Sequence, residues 1–309
     1  MNVLVTGGAG FIGSHLTDLL IEEGHHVTIV DNLSSSSAHN VNHQAEFHEF
    51  DIRDKEKLAK LFDEGKFEIV FHEAAQTMVP YSMDHPQEDA DLNVMALLDV
   101  LENCRRCHVK RVIFSSSAAV YGNNLRVPLK EDEPLQPTSF YGLTKVIAEK
   151  YLQLYHDIFG LSYVVLRYSN VYGERQGAHG EGGVVYIFSK ALAQGHDLTI
   201  YGDGEQTRDF VYVKDIARAN VAAMADTTPC GIYNISTKIE TTVNALKEIL
   251  IYDAGKPVSV AYEAARSGDI YRSALDNTKA LEQLKWHPVT KLLPGLMATY
   301  AYFLEEESR

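Results

Sequence analysis

Cysteine is scarce: Cys104, Cys107 and Cys230 are the only three in a chain of 309 residues. So small and odd a number cannot build a disulfide framework, and it suits a reducing compartment. Cys104 and Cys107 do form a C-x-x-C, but no second pair and no spaced histidines complete the four ligands a structural zinc needs. They read as two residues of a helix face, and no metal is expected. Positive charge is also short, with 28 Lys and Arg against 42 Asp and Glu, a formal charge of -14. Such a surface repels a phosphate backbone, so nucleic acid is not an expected partner, although a few placed arginines can still hold a small anion. Long apolar runs are missing, and Met1 to Thr6 carries no basic segment ahead of a hydrophobic stretch. Neither a signal peptide nor a membrane anchor is expected, and the cytoplasm is the expected location. The chain is 45% hydrophobic and 23% charged, the composition of an ordinary globular protein rather than a disordered one.

Val3 to Val5 is a short apolar run stopped by Gly7, Gly8 and Gly10, after which Phe11 to Glu23 has apolar residues at helical spacing. Further strands are expected at Val27 to Val30, ending in Asp31, at Glu46 to Phe50, ending in Asp51, at Ile69 to Phe71, at Val112 to Phe114 and at Tyr163 to Leu166. Helices are expected at Lys55 to Asp63, Leu92 to Arg106 and Tyr141 to Ile158. This alternation predicts an α/β fold, a Rossmann-type doubly wound parallel sheet. The pattern breaks at the glycine-rich stretch from Gly173 to Gly183, read as a functional loop or the edge of a second region. Beyond it come shorter elements, including Leu198 to Ile200, Phe210 to Tyr212 and a helix from Val243 to Ile251. The expected division is a dinucleotide-binding domain over 1–169, rejoined by segments near 209–238, and a smaller mixed α/β substrate-binding domain over 170–309.

Gly8, Gly10 and Gly13 satisfy G-x-G-x-x-G, and Gly7, Gly10 and Gly13 its three-residue-spaced variant. Such glycines let the backbone turn tightly and approach a pyrophosphate at the N-terminus of the next helix. Asp31 closes the second strand 18 residues after Gly13. A carboxylate there accepts from the adenosine ribose hydroxyls and repels a 2′-phosphate, so NAD is the expected cofactor rather than NADP.

Tyr141 and Lys145 lie four apart, which on a helix puts phenol and ammonium on one face. A phenol is a poor base at neutral pH, and a nearby cation favours its ionised form. Ser115, Ser116 and Ser117 follow the strand Val112 to Phe114, at the carboxyl end where open α/β sheets bind ligands, and a hydroxyl there can bond a reacting oxygen.

Taken together, Gly7, Gly10 and Gly13, the serines ahead of Tyr121 and Gly122, Tyr141 with Lys145, the run Arg167 to Gly173 and the run Arg208 to Val211 resemble the extended short-chain dehydrogenase/reductase superfamily. Within it the chain looks most like nucleotide-sugar epimerases of the UDP-glucose 4-epimerase type. The resemblance implies that Tyr141 takes the proton of the sugar 4-hydroxyl while hydride passes from C4 to NAD. It gives Ser117 a hydrogen bond to the same oxygen and gives Lys145 the nicotinamide ribose. It also implies cofactor contacts from Gly7, Gly10, Phe11, Ile12, Gly13, Asp31, Asn32, Ser34, Asp51, Ile52, Ala74, Ala75, Gln76, Asn93, Ser115, Tyr141, Lys145 and Tyr168. For a UDP-sugar it implies Ser117, Tyr141, Asn170, Val184, Tyr201, Arg208, Arg266, Asp269 and Ser273.

Relatives that dehydrate nucleotide sugars usually carry an acid pair after the catalytic hydroxyl, where this chain has Ala118 and Ala119, which cannot transfer a proton. Ser273 stands where hexose-restricted epimerases often have a tyrosine, implying room for a 2-acetamido group. Leu97, Leu101, Val146, Leu154 and Tyr155 are apolar beyond the needs of one core face, and in the family these two helices pair between subunits, implying a homodimer. Alternatives are a UDP-glucuronate epimerase, with Arg175 as the candidate carboxylate partner, another nucleotide-sugar dehydratase or reductase, and a dinucleotide-sensing binding module.

Overall fold

In a computed structural model, which describes residues 1–177, 182–255, 257–265 and 270–308, the first half of the chain alternates strand and helix. The order is β1 (Asn2–Thr6), α1 (Phe11–Glu22), β2 (His26–Asp31), β3 (Glu46–Glu49), α2 (Lys55–Gly65) and β4 (Ile69–His72). Short helices α3 (Val79–Asp84) and α4 (Pro86–Ala90) lead through a π-helical turn, Asp91–Met95, into α5 (Ala96–Arg106). Then come β5 (Arg111–Ser117), α6 (Phe140–Phe159) and β6 (Ser162–Tyr168). The remainder comprises β7 (Asn170–Tyr172), α7 (Val184–Ala193), β8 (Leu198–Tyr201), β9 (Thr207–Arg208), β10 (Phe210–Tyr212), α8 (Val213–Ala223), β11 (Gly231–Ile235), β12 (Thr241–Thr242), α9 (Val243–Ala254), β13 (Val260–Glu263) and α10 (Leu292–Glu307).

Seven strands form one parallel sheet in the order β11-β6-β5-β4-β1-β2-β3. Its strands are apolar on both faces because helices cover both. Val3 and Val5 of β1 pack with Leu16, Leu20, Ile216 and Ala219 of α1 and α8, while Leu4 between them points to Leu58, Val100 and Leu101 of α2 and α5. Strand order reverses between β1 and β4, and the crevice at the carboxyl ends of strands at such a point is where open α/β sheets take ligands. A separate apolar cluster gathers Val185, Phe188 and Leu192 of α7, Leu246 and Leu250 of α9, and Leu296 and Tyr300 of α10.

Several expected elements differ. The serines do not follow β5 but complete it: Ser115, Ser116 and Ser117 pair in register with Leu166, Arg167 and Tyr168. Serine is a poor strand former in isolation, but β4 and β6 on either side extend the ladder through it. The seventh strand, β11, and the helices α7, α8 and α10 are longer and more regular than the mixed short elements expected there. Leu97 and Leu101 correct another expectation. They are fully buried against the sheet, whereas Leu154 is half exposed and Val146 and Tyr155 lie between. Among the described residues no helix is long and apolar enough to cross a membrane.

Candidate active site

The loop from β1 to α1 turns because Gly7 adopts φ +71° and carries no side chain; a Cβ there would stand 2.6 Å from the Ala74 backbone nitrogen. A Cβ on Gly13 would collide with the Gly7 carbonyl, so helix and loop pack backbone to backbone. The Gly10 N–H bonds back to that carbonyl at 3.0 Å. No side chain caps the N-terminus of α1, whose first residues, Phe11, Ile12 and Gly13, line a cavity of about 750 Å³. An uncapped helix start beneath a glycine loop is a cradle for a pyrophosphate.

At one end of this cavity Asp31 is anchored from three sides. It accepts from the Ala9 N–H at 3.1 Å, the Leu33 N–H at 2.8 Å and Ser36 Oγ at 2.8 Å. Asn32, Ser34, Asp51 and Ile52 share that wall. Arg53 donates to Asp51 at 2.7 Å and, with the burial cost partly opposing it, holds that carboxyl down at about 2; Asn32 donates to it at 2.9 Å. Ala74 and Ala75 line the middle.

At the other end α6 delivers two side chains. Ser139 caps the helix by accepting from the Gly142 N–H at 3.1 Å. The bare Cα of Gly142 lets the helix start press on the turn Ala118–Tyr121, since a Cβ would lie 2.7 Å from the Ala119 carbonyl oxygen. That approach brings Tyr141 and Lys145 to the cavity wall that Ser115 and Ser117 also form. Lys145 is buried; its Nζ donates to the Ser115 carbonyl at 2.9 Å and lies 5.7 Å from the Tyr141 ring centroid and 4.8 Å from that of Phe114. Ser117 Oγ accepts from the Ala119 N–H at 3.2 Å. Tyr168 and Asn170 complete this end.

Other expected contacts fall elsewhere. Gln76 and Asn93 are not on the cavity wall but brace it from behind. The Gln76 N–H donates to Asn93 Oδ1 at 2.8 Å, and Asn93 Nδ2 donates to the Gln76 carbonyl at 2.9 Å, with Asp89 bonded to both side chains. Asn93 lies in the π-helical turn, whose widened backbone aims it at the loop after β4. Val184, Tyr201, Arg208 and Ser273 lie outside this cavity's lining, and Arg266 and Asp269 lie outside the described residues. Arg175 lines the cavity but is paired with Asp18 at 2.8 Å.

Three features escaped sequence reasoning. Glu73 lines the cavity one residue beyond β4, level with Asp31 of β2, since Thr6 of β1 pairs with both Val30 and His72. Glu149 is buried, accepting from Ser116 Oγ at 2.6 Å and from Arg167 at 2.6 and 2.9 Å. Its signal was the spacing Tyr141, Lys145, Glu149, three residues on one helical face. His72, bonded to Thr6 at 2.9 Å, is pushed down to about 3 by burial and is neutral beside the site. Among the described residues no cluster of His, Cys, Asp and Glu is placed to hold a metal.

A cavity that sets an uncapped helix start under a glycine loop and gathers a phenol, a hydroxyl and an ammonium at one end has the makings of a dinucleotide-dependent enzyme that acts on an alcohol or its ketone. Comparison with known proteins narrows this class. The family model described as NAD dependent epimerase/dehydratase matches residues 3–236, and the chain belongs to that family. It is 44% identical over 295 residues, 95% of each chain, to a putative UDP-glucose 4-epimerase of Methanocaldococcus jannaschii. The structure superimposes with a TM-score of 0.97 and 45% identity on UDP-glucose 4-epimerase of Thermotoga maritima with UDP-glucose, covering 99% of this chain and 100% of that one. It matches the UDP-N-acetylglucosamine 4-epimerase of Methanobrevibacter ruminantium with a TM-score of 0.92 and 40% identity, covering 99% and 98%. The cofactor is NAD, and the enzyme is an isomerase similar to UDP-glucose 4-epimerases.

Proposed function

We propose that this chain interconverts the 4-epimers of UDP-hexoses, UDP-Glc with UDP-Gal and also UDP-GlcNAc with UDP-GalNAc. The observation that carries this is the meeting of Ser117, Tyr141 and Lys145 in one cavity with Asp31 and the glycine loop. Gly7, Gly10, Gly13, Asp31 and the α1 start would hold NAD, with Lys145 at its nicotinamide ribose. Bound NAD supplies reversible hydride exchange at the sugar C4. Tyr141, as phenolate, accepts the 4-hydroxyl proton and later returns it. Ser117 hydrogen-bonds the same oxygen and holds it at the phenol. The Lys145 ammonium lowers the electrostatic cost of the phenolate. Turning of the 4-keto sugar between the two proton transfers exposes its other face, and the epimer results. Ala118 and Ala119 offer no acid to expel a 6-hydroxyl, and the Arg175 guanidinium is engaged by Asp18, so neither dehydration nor a uronate substrate is favoured.

The test is to incubate the purified chain, without added NAD, with UDP-Glc, UDP-GlcNAc and UDP-GlcA in parallel and follow mass and the H4 couplings. The expected result is unchanged mass and a new 4-epimer from the first two; loss of water or carbon dioxide would overturn the reading. The small side chain of Ser273 underlies the N-acetyl expectation. Ser273 is buried outside the lining of the cavity described above, so the expectation rests on the resemblance alone: Ser273→Tyr is expected to lower turnover of UDP-GlcNAc more than that of UDP-Glc, since a clash at a substrate contact discriminates by size and not by the chemical step.

We also infer that two copies pair through α5 and α6. Leu143, Leu154, Ile158 and Phe159 on α6 and Met95 just before α5 are 43 to 65% exposed, an apolar surface that a second copy would cover. Ile158→Asp is expected to shift sedimentation from dimer to monomer; a wild-type monomer would overturn the inference. With three free thiols, the enzyme suits the cytoplasm.

A further inference from the structure

Glu73 has no role in the chemistry above, yet it is built into the cavity wall. Its backbone N–H donates to the Thr6 carbonyl at 3.1 Å, fixing it across β1 and β4. Tyr168 Oη donates to its Oε1 at 3.4 Å, and the Ser115 side chain also hydrogen-bonds it. The Tyr168 oxygen in turn receives Asn220 Nδ2 at 2.8 Å and shares a 2.9 Å bond with Ser115 Oγ, while the Ser115 carbonyl receives Lys145 Nζ. Asn220 Nδ2 also donates to the Ile216 carbonyl, so its amide is oriented as a donor. Tyr168 Oη thus spends its single proton on Glu73, and the single proton of Ser115 Oγ is shared between Glu73 and the Tyr168 oxygen.

The charged and titratable groups around Glu73 are Lys145 from α6, Tyr168 from β6 and His72 from β4, with Tyr141 and Asp89 beyond Lys145. Burial pushes His72 down to about 3 and the Tyr168 phenol far up, so both stay neutral through the physiological range. Burial raises the Asp89 carboxyl, which hydrogen bonds from Gln76 and Thr144 partly offset. Burial likewise raises Glu73, to about 7, with its hydrogen bonds and Lys145 pulling the other way. Glu73 thus changes charge near neutral pH.

We propose that Glu73 sets the charge of the nicotinamide end of the site. Ionised, it favours the cationic oxidised ring over the neutral reduced ring, and so favours the oxidised state to which an epimerase's cofactor must return after each turnover. The proposal rests on the reading that the nicotinamide lies beside Tyr141 and Lys145. An added cation draws the Glu73 equilibrium toward carboxylate, so NAD+ binding near neutrality releases a proton to solvent, and NADH binding does not.

The test titrates the full chain, first freed of bound nucleotide, with NADH by fluorescence and with NAD+ by competition between about pH 6 and pH 8. The ratio of the NADH to the NAD+ dissociation constant is expected to rise about tenfold with pH in the wild type, the effect of one unit of carboxyl shift, and to be flat in Glu73→Gln. A flat wild-type ratio, or an unchanged slope in Glu73→Gln, would overturn the proposal. Calorimetry of the wild type in two buffers of different ionisation enthalpy decides the question even if the variant does not fold. Proton release on NAD+ binding alone supports the proposal, and equal proton exchange with both nucleotides contradicts it. Failure of both nucleotides to bind would instead overturn the placement of the cofactor, and this proposal with it.

Discussion

Tyr141→Phe is expected to lower kcat by about a hundred- to ten-thousandfold with little change in KM, because it removes the proton acceptor and leaves the ring in place. The phenol enters the cavity at the first turn of α6, a position fixed by the Ser139 cap and the close approach of Gly142 to the Ala119 carbonyl. Neither anchor involves the hydroxyl, so the ring should keep its place and the loss should appear chiefly in kcat. Ser117→Ala removes one hydrogen bond to the same oxygen and is expected to cost less. Steady-state kinetics on UDP-Glc distinguish the cases; a Tyr141→Phe variant with wild-type kcat would mean that some other group holds the proton.

The largest stability effect is expected one helical turn beyond Lys145. Glu149 and Arg167 are each 2% exposed and joined by bonds of 2.6 and 2.9 Å. Burial works against the Arg167 cation, but its hydrogen bonds to Glu149 outweigh it and hold the guanidinium above its usual range. Arg167 also donates to Tyr121 Oη at 2.7 Å and to the Glu131 carbonyl at 3.1 Å. Removing either partner leaves the other charge buried and uncompensated, which costs about 3–5 kcal/mol. Glu149→Leu and Arg167→Met are each expected to lose that much in urea denaturation. The double variant should lose less than their sum, because no lone charge remains. Additive losses would show that the two residues stabilise the fold independently. Since Ser116 bonds Glu149 and stands next to Ser117, the same pair joins the helix of Tyr141 to the strand of Ser117.

The dinucleotide-binding half was legible because its signals are local. Strands buried on both faces read as apolar runs, α1 reads by its period, and Gly7, Gly10, Gly13 and Asp31 are set by the geometry of one β-turn-α-β unit. Tyr141 and Lys145 were legible for the same reason, being one helical turn apart. What was misread depends on neighbours distant in sequence. Ser115 to Ser117 become strand only because β4 and β6 flank them. Gly231 to Ile235, with glycine and asparagine among five residues, becomes a strand by pairing with β6. Leu97 and Leu101 meet the sheet, a side that the apolar period of one helix does not report. Gln76 and Asn93 hydrogen-bond each other and Asp89 behind the cavity wall, a network that no spacing rule encodes. Glu73 stands at the level of Asp31 in the sheet, which only the pairing of β1 with β2 and β4 reveals.

The most direct test of the chemistry is to follow the C4 hydrogen. UDP-glucose deuterated at C4, incubated with the enzyme in ordinary water and without added cofactor, is expected to give UDP-galactose that keeps its deuterium at C4, because the label leaves and returns within one closed cavity. Product carrying solvent hydrogen at C4 would contradict the mechanism and require exchange of a carbon-bound proton with water.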